Sequence, residues 1–199
     1  MKYELNEIPY TQFEQLGMDK KDVQNKLSFD DLDRLLKGEK TDLKIVHIQT
    51  QNLSFDIDTK FSLRRNADST INLMVHPKRQ QIDTKYDLTK EEQSRLETGE
   101  TVLKKDSRTD SPISDYLYQM DKETKEIMRI NQSKIFIPDS IEDIKLSLEQ
   151  KDKLRNGEGI ELEKQDKKLT VKLDLNKPQL FKINISNTIK STNTPQYKR

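Results

Sequence analysis

Cysteine and tryptophan are both missing from this chain of 199 residues. Without cysteine there can be no disulfide staple and no thiolate metal site. Without tryptophan the cores must be thin and mostly aliphatic. Glycine is scarce, with five in all, too few and too scattered for a glycine-rich phosphate loop. No apolar run approaches the ~18 residues of a membrane span. The opening Met1-Lys2-Tyr3-Glu4-Leu5-Asn6-Glu7 has no stretch able to serve as a signal peptide. A soluble protein that stays in the cytoplasm, without a membrane partner, is the expectation.

What the chain has in abundance is charge of both signs. Charged residues make up 36% and hydrophobic ones 31%, yet the net charge is only +1. Leu, Ile, Val and Phe together reach about a quarter of the chain, above the level of roughly a fifth below which disorder sets in. Small folded units with charged surfaces follow.

One short pattern is written three times. Ser28, Thr89 and Ser147 are each followed seven residues later by a leucine (Leu35, Leu96, Leu154) and three further on by Gly-Glu (Gly38-Glu39, Gly99-Glu100, Gly157-Glu158). Asp31, Glu92 and Gln150 stand three residues after the hydroxyl residue. A hydroxyl that accepts the third residue's N–H, while that residue reaches back, is a capping box. A glycine at the far end suits the left-handed position that closes a helix. Three helices over 28–37, 89–98 and 147–156 are predicted.

After each Gly-Glu the apolar period changes from helical to alternating. Leu43 to Ile48 reads as a strand. Phe61 and Leu63, then Ile71, Leu73 and Val75, read as a hairpin about Asn66-Ala67-Asp68-Ser69. Tyr116, Tyr118 and Met120 alternate before a turn at Asp121-Lys122-Glu123-Thr124 and a run from Glu126 to Ile130. Leu169 to Leu175 alternate, and Asn176-Lys177-Pro178 turns them into Phe181, Ile183 and Ile185. The fold class is α+β: three tandem units of a capped helix, a strand and a hairpin, each sheet with one face under its helix and one face wet. An extra helical cluster stands in front, with a capping box expected from Thr11 to Glu14 and a stop at Gly17. The implied boundaries are 1–80, 81–138 and 139–190, with Ser107 to Pro112 as a polar loop and 191–199 as a disordered tail.

Three stretches carry a family resemblance: Glu7-Ile8-Pro9-Tyr10-Thr11-Gln12-Phe13-Glu14-Gln15-Leu16-Gly17, Leu73-Met74-Val75-His76-Pro77-Lys78-Arg79, and Val171 through Lys182. With the Leu-Thr-x-Glu-Glu…Leu-x-x-Gly-Glu helix, the chain resembles uncharacterised domains from conjugative transposons and related mobile elements of Bacteroidetes. Members of that group are often encoded near a topoisomerase and other DNA-processing genes. The resemblance implies a setting in mobile DNA, and it brings no catalytic residues with it.

Candidates for chemistry are few. His47 lies in an alternating strand and His76 just before Pro77; a metal shared by them would need carboxylate support such as Asp56 or Asp58, and no ligand-like spacing recommends it. No catalytic residue, cofactor or metal is assigned, and a histidine-assisted, metal-dependent hydrolase is the weakest reading. Two binding readings stand. A protein partner would use exposed sheet edges and the aromatic set Tyr116, Tyr118 and Phe136, side chains that equally suit the middle unit's core. Nucleic acid would use Arg64, Arg65, Lys78 and Arg79 on the first hairpin, near Phe61 and Tyr86, with Lys182 adding reach. The leading expectation is a non-enzymatic adaptor on DNA-processing or transfer machinery or on a host factor. Direct nucleic-acid binding is the alternative.

Overall fold

The computed structural model describes residues 2–49, 52, 54–106, 114–165 and 167–187. The loop at 107–112 and the tail at 191–199 lie outside the described residues. The chain is α+β. Short helices α1 (Tyr10–Glu14) and α2 (Lys20–Lys26) precede α3 (Phe29–Lys37). Then come β1 (Lys44–Gln49), β2 (Ser54–Arg65) and β3 (Ile71–Pro77), an antiparallel meander. Helix α4 (Lys90–Thr98) leads into β4 (Val102–Asp106), β5 (Ser114–Met120) and β6 (Ile127–Asn131). A two-stranded ribbon of β7 (Ser140–Ile141) and β8 (Ile144–Lys145) precedes α5 (Leu148–Arg155). Last come β9 (Ile160–Lys164), β10 (Lys167–Leu173) and β11 (Phe181–Asn187), again a meander.

The helix ends are built as the pattern requires. Ser28, Thr89 and Ser147 each accept from the N–H of Asp31, Glu92 and Gln150, and each of those side chains returns to the cap's own N–H. Gly38, Gly99 and Gly157 have φ of 79°, 89° and 84°, the left-handed region where a Cβ would clash. The expected box at Thr11 and Glu14 does not form. Pro9 is the N-cap, without a side-chain cap bond, and its carbonyl already accepts from the Gln12 N–H at 2.9 Å. The chain therefore turns helical before Thr11, and the box in this segment is the one from Glu4 to Glu7.

Three cores result. In the first, Phe13 and Phe61 meet edge to face at 5.2 Å, surrounded by Tyr3, Met18, Val23, Leu27, Leu35 and Val46. In the second, Leu96 of α4 packs on Val102, Tyr118, Met120 and Ile127. The third joins Leu154, Leu162, Leu169 and Val171 to Leu117 of the middle sheet. That last membership overturns the expectation of a wet outer face on every sheet. Strand β5 turns Tyr118 and Met120 toward α4 and Leu117 toward the third unit, so the middle sheet is covered on both sides. Leu117 is apolar and fully buried, and only the third unit is placed to cover it.

Two side-chain amides finish strand edges. Gln12 donates to Ile71 O at 3.3 Å and accepts from Leu73 N–H at 2.7 Å, pairing with the free edge of β3. Gln119 does the same past the end of β10, donating to Leu173 O at 3.3 Å and accepting from Leu175 N–H at 2.7 Å. An edge whose backbone groups are already bonded is a poorer template for another strand.

Candidate functional site

The first unit carries an apolar groove. Ser28 caps α3 and thereby fixes Phe29 at its first position, and the turn Leu5–Glu7 follows a segment that is hydrogen-bonded to the same helix. Phe29 is 84% exposed and Leu5 58%. With Tyr3, Leu32 and Leu36 they line a cavity of about 850 Å³, rimmed by Lys2, Glu4, Glu7, Asp33 and Arg65. The floor is anchored: the Tyr3 hydroxyl donates to Leu63 O at 2.9 Å, and Lys2 and Tyr3 N–H both donate to Leu36 O. Arg65 donates to both oxygens of Glu7 and stacks 5.5 Å from the Tyr3 ring. The Glu7 carboxyl is held below its ordinary value, first by the Glu4 N–H and then by Arg65.

Between the first and middle units lies an ionic junction. Lys60, nearly buried on the outer face of β2, donates to both oxygens of Asp121 at 3.0 and 2.9 Å and pairs with Glu123 at 2.7 Å. Lys40 pairs with Glu126 at 2.6 Å. His76 Nδ1 lies 2.8 Å from Glu126 and its Nε2 lies 2.8 Å from Ser62 Oγ. Burial opposes ionisation of Glu126, but bonds from His76 and Lys40 outweigh it and bring the carboxyl down to about 2. Asp121 is likewise lowered against its burial, by Lys60, the Thr124 N–H and Lys40.

Ser62, His76 and Glu126 have the order and spacing of a nucleophile relay, beside a cavity of about 340 Å³. Acyl transfer also needs N–H donors aimed where an oxyanion would form. The nearby backbone is committed instead: Phe61 N–H goes to Thr41 Oγ1, and Gly38 N–H to Leu35 O. The facing ammonium, Lys40, is tied to Glu126. These bonds join strand to strand and unit to unit. His47 is elsewhere, paired with Asp56 at 2.8 Å, and Asp58 belongs to Lys78. Among the described residues no three metal-ligating side chains come together.

The basic hairpin residues do not form one surface. Arg65 is spent on Glu7, Lys78 pairs with Asp58 at 3.3 Å, and Arg79 with Asp83 at 3.4 Å while its N–H donates to Thr124 O. Arg64 is exposed, with no carboxylate in ion-pair range among the described residues. Phe61 is fully buried, so no base can stack on it. Lys182 stands far along the chain on β11, in the cleft where the three units meet. The aromatic set also divides. Tyr118 is core, edge-on to Tyr86 at 5.7 Å. Tyr116 is half-buried under the Arg129 guanidinium at 5.0 Å. Phe136 alone stands out, 79% exposed. Sequence reasoning missed Phe29 and Leu5, because one apolar residue at a helix start carries no periodicity.

Residues 3–87 match the model of a family described as a protein of unknown function (DUF4099). That segment contains α1 to β3 and nearly all of the groove. A search of curated proteins and one of solved structures each found no match. No described helix is long and apolar enough to cross a membrane.

Proposed function

We propose that this chain is an interaction module, an adaptor that docks a partner protein on DNA-processing or transfer machinery of a mobile element, or on a host factor. The observation that carries the reading is the exposure of Phe29 and Leu5 on either side of an anchored apolar groove. The Ser28 cap works whatever side chain follows it, so helix formation does not require phenylalanine at position 29. Burying one such side chain contributes about 1.5–3 kcal/mol, and exposed aromatics commonly carry the energy of a contact. The rim adds little net charge, so the occupant that fits is an amphipathic helix presenting its apolar stripe, held at the groove by α3 and the Leu5 turn. The mobile-element setting rests on the family resemblance alone.

A photo-crosslinking phenylalanine analogue at position 29, expressed in the native host, tests this. The expected result is one discrete adduct that disappears when Leu5 is also changed to Asp. Adducts identical to those from the analogue at Phe55, which is exposed on a different element, would refute it. The hairpin route to nucleic acid is the weaker reading, since Arg65, Lys78 and Arg79 already face carboxylates.

A further inference from the structure

We infer that the cleft at the meeting of the three units binds a phosphate group. The cleft encloses about 610 Å³, within the range of small-ligand sites. It shares no residue with the Phe29 groove and does not depend on the adaptor reading.

The charges of its wall fall into two sets. Arg34, Lys40, Lys60 and Lys177 each rest on a carboxylate, namely Asp42, Glu126, Asp121 and Glu39. Lys122, Lys172 and Lys182 have no carboxylate in ion-pair range among the described residues. The wall's remaining acids are Glu123, which pairs with Lys60, and Asp174, which accepts the Asn176 N–H. Three ammonium groups against two carboxylates leave the cleft electropositive.

The arrangement is also costly without an anion. Lys172 and Lys182 are direct cross-strand partners on β10 and β11, where like charges repel. The other lysine pair in this sheet, Lys167 opposite Lys164, has Asp143 3.1 Å from Lys164. The pair in the cleft has no carboxylate that close among the described residues; Glu100 acts on Lys172 only from beyond ion-pair range.

Two of the three lysines lay their stems along the wall. Lys122 donates to Thr98 O at 2.9 Å and lies over Gly99, where a Cβ would come within 2.5 Å of its Cε. Lys172 lies over Gly159, where a Cβ would meet its Cε and Cγ at 3.0 Å. Gly159 has no positive φ, so its backbone does not require glycine; a side chain there would push the Lys172 stem aside by a few tenths of an ångström. Ammonium groups lining a polar cleft match a phosphate's oxygens, with the Asn184 amide alongside. No aromatic side chain lines the cleft, so recognition is of the phosphate and not of a base. The source is a small phosphate ester or the backbone of a single strand.

The test uses the full chain at about 50 mM salt, a permissive condition. Calorimetry with pyrophosphate and anisotropy with a fluorescent oligothymidylate read the two sources. Binding of pyrophosphate assigns the site to small esters, and binding of the oligonucleotide alone assigns it to a strand backbone. Lys172→Ala with Lys182→Ala should weaken either by roughly tenfold or more, as expected from losing two phosphate contacts. Without ligand, the double variant should melt no lower than wild type. Gly159→Ala, which leaves every charge in place, should weaken binding severalfold and keeps the test open if the double variant misfolds. Lys78→Ala should change nothing. Absence of binding by either probe, or equal binding by the wild type and the double variant, overturns the site.

Discussion

Eleven buried side chains of the first unit, from Tyr3 to Leu63, close on one another beneath α1 to α3, whereas the middle unit gathers five, from Leu96 to Ile127. The difference comes from the sheets. The first sheet turns one apolar face to its helices and presents Lys60, Ser62 and His76 on the other. The middle sheet has buried apolar side chains on both faces, and its second face joins the third unit's core through Leu117. A unit whose outer face is polar can be joined by ion pairs to a neighbour; a unit with two apolar faces has to be sandwiched.

Separating the units should give the largest effect. Residues 1–88 alone should unfold cooperatively on heating, while 81–138 alone should show no thermal transition by circular dichroism. A cooperative transition in the second fragment would break the comparison.

Next is the ionic junction. Asp121→Ala leaves Lys60 with only exposed Glu123 and strips the Glu123 and Thr124 N–H groups of their acceptor. Removing one member of a buried pair costs on the order of 3–5 kcal/mol, read as a lowered denaturant midpoint. Lys60→Met with Asp121→Leu should recover much of that loss, because the uncompensated charge is gone.

Acid probes the same junction. Glu126 titrates near 2 in the fold, against an ordinary value of 4.5. A depressed carboxylate contributes stability that is complete above the unfolded value and is lost as pH falls through the folded one. The contribution, on the order of 3 kcal/mol, should fade between about pH 5 and pH 2. In Glu126→Gln the fall in melting temperature over that window should be shallower.

Much of this architecture was legible along the chain, and the parts that were not have physical causes. The capping boxes, the left-handed glycines and the hairpins at Asn66–Ser69, Asp121–Thr124 and Asn176–Pro178 are local chemistry, written within a few residues. The β7–β8 ribbon escaped because its turn places Glu142 and Asp143 at φ of 48° and 64°, positions that usually advertise themselves with Asn or Gly. The two-faced middle sheet was hidden because Leu117 and Gln119 occupy positions of an alternating pattern whose partner lies some fifty residues on. The Lys60–Asp121 junction spans 61 residues, beyond any local pattern. The basic hairpin was visible as charge, but its carboxylates at Glu7, Asp58 and Asp83 were not visible as partners. Lys182 was named for its charge, without the cleft that gathers it with Lys122 and Lys172.

Smaller effects sharpen the picture. Gly157→Ala should cost about 1 kcal/mol for the left-handed backbone, and somewhat more because its Cβ would lie 2.8 Å from Thr101 Cγ2 and 3.1 Å from Leu117 Cδ2. Gly38→Ala, whose Cβ would meet the flexible Lys2 stem at 2.9 Å and the Tyr3 ring at 3.3 Å, should cost less than Gly157→Ala. Arg64→Ala, at an exposed position, should shift stability by no more than about 0.5 kcal/mol.

The comparison is tested most directly by native-state hydrogen exchange on Leu117→Ala. Removing this side chain should cost about 2–5 kcal/mol. Protection should then fall together in β5 and in Leu169 to Leu173 of β10, while the amides of Phe61 to Leu63 keep theirs. Equal loss in all three sheets, or loss confined to the middle one, would contradict the account.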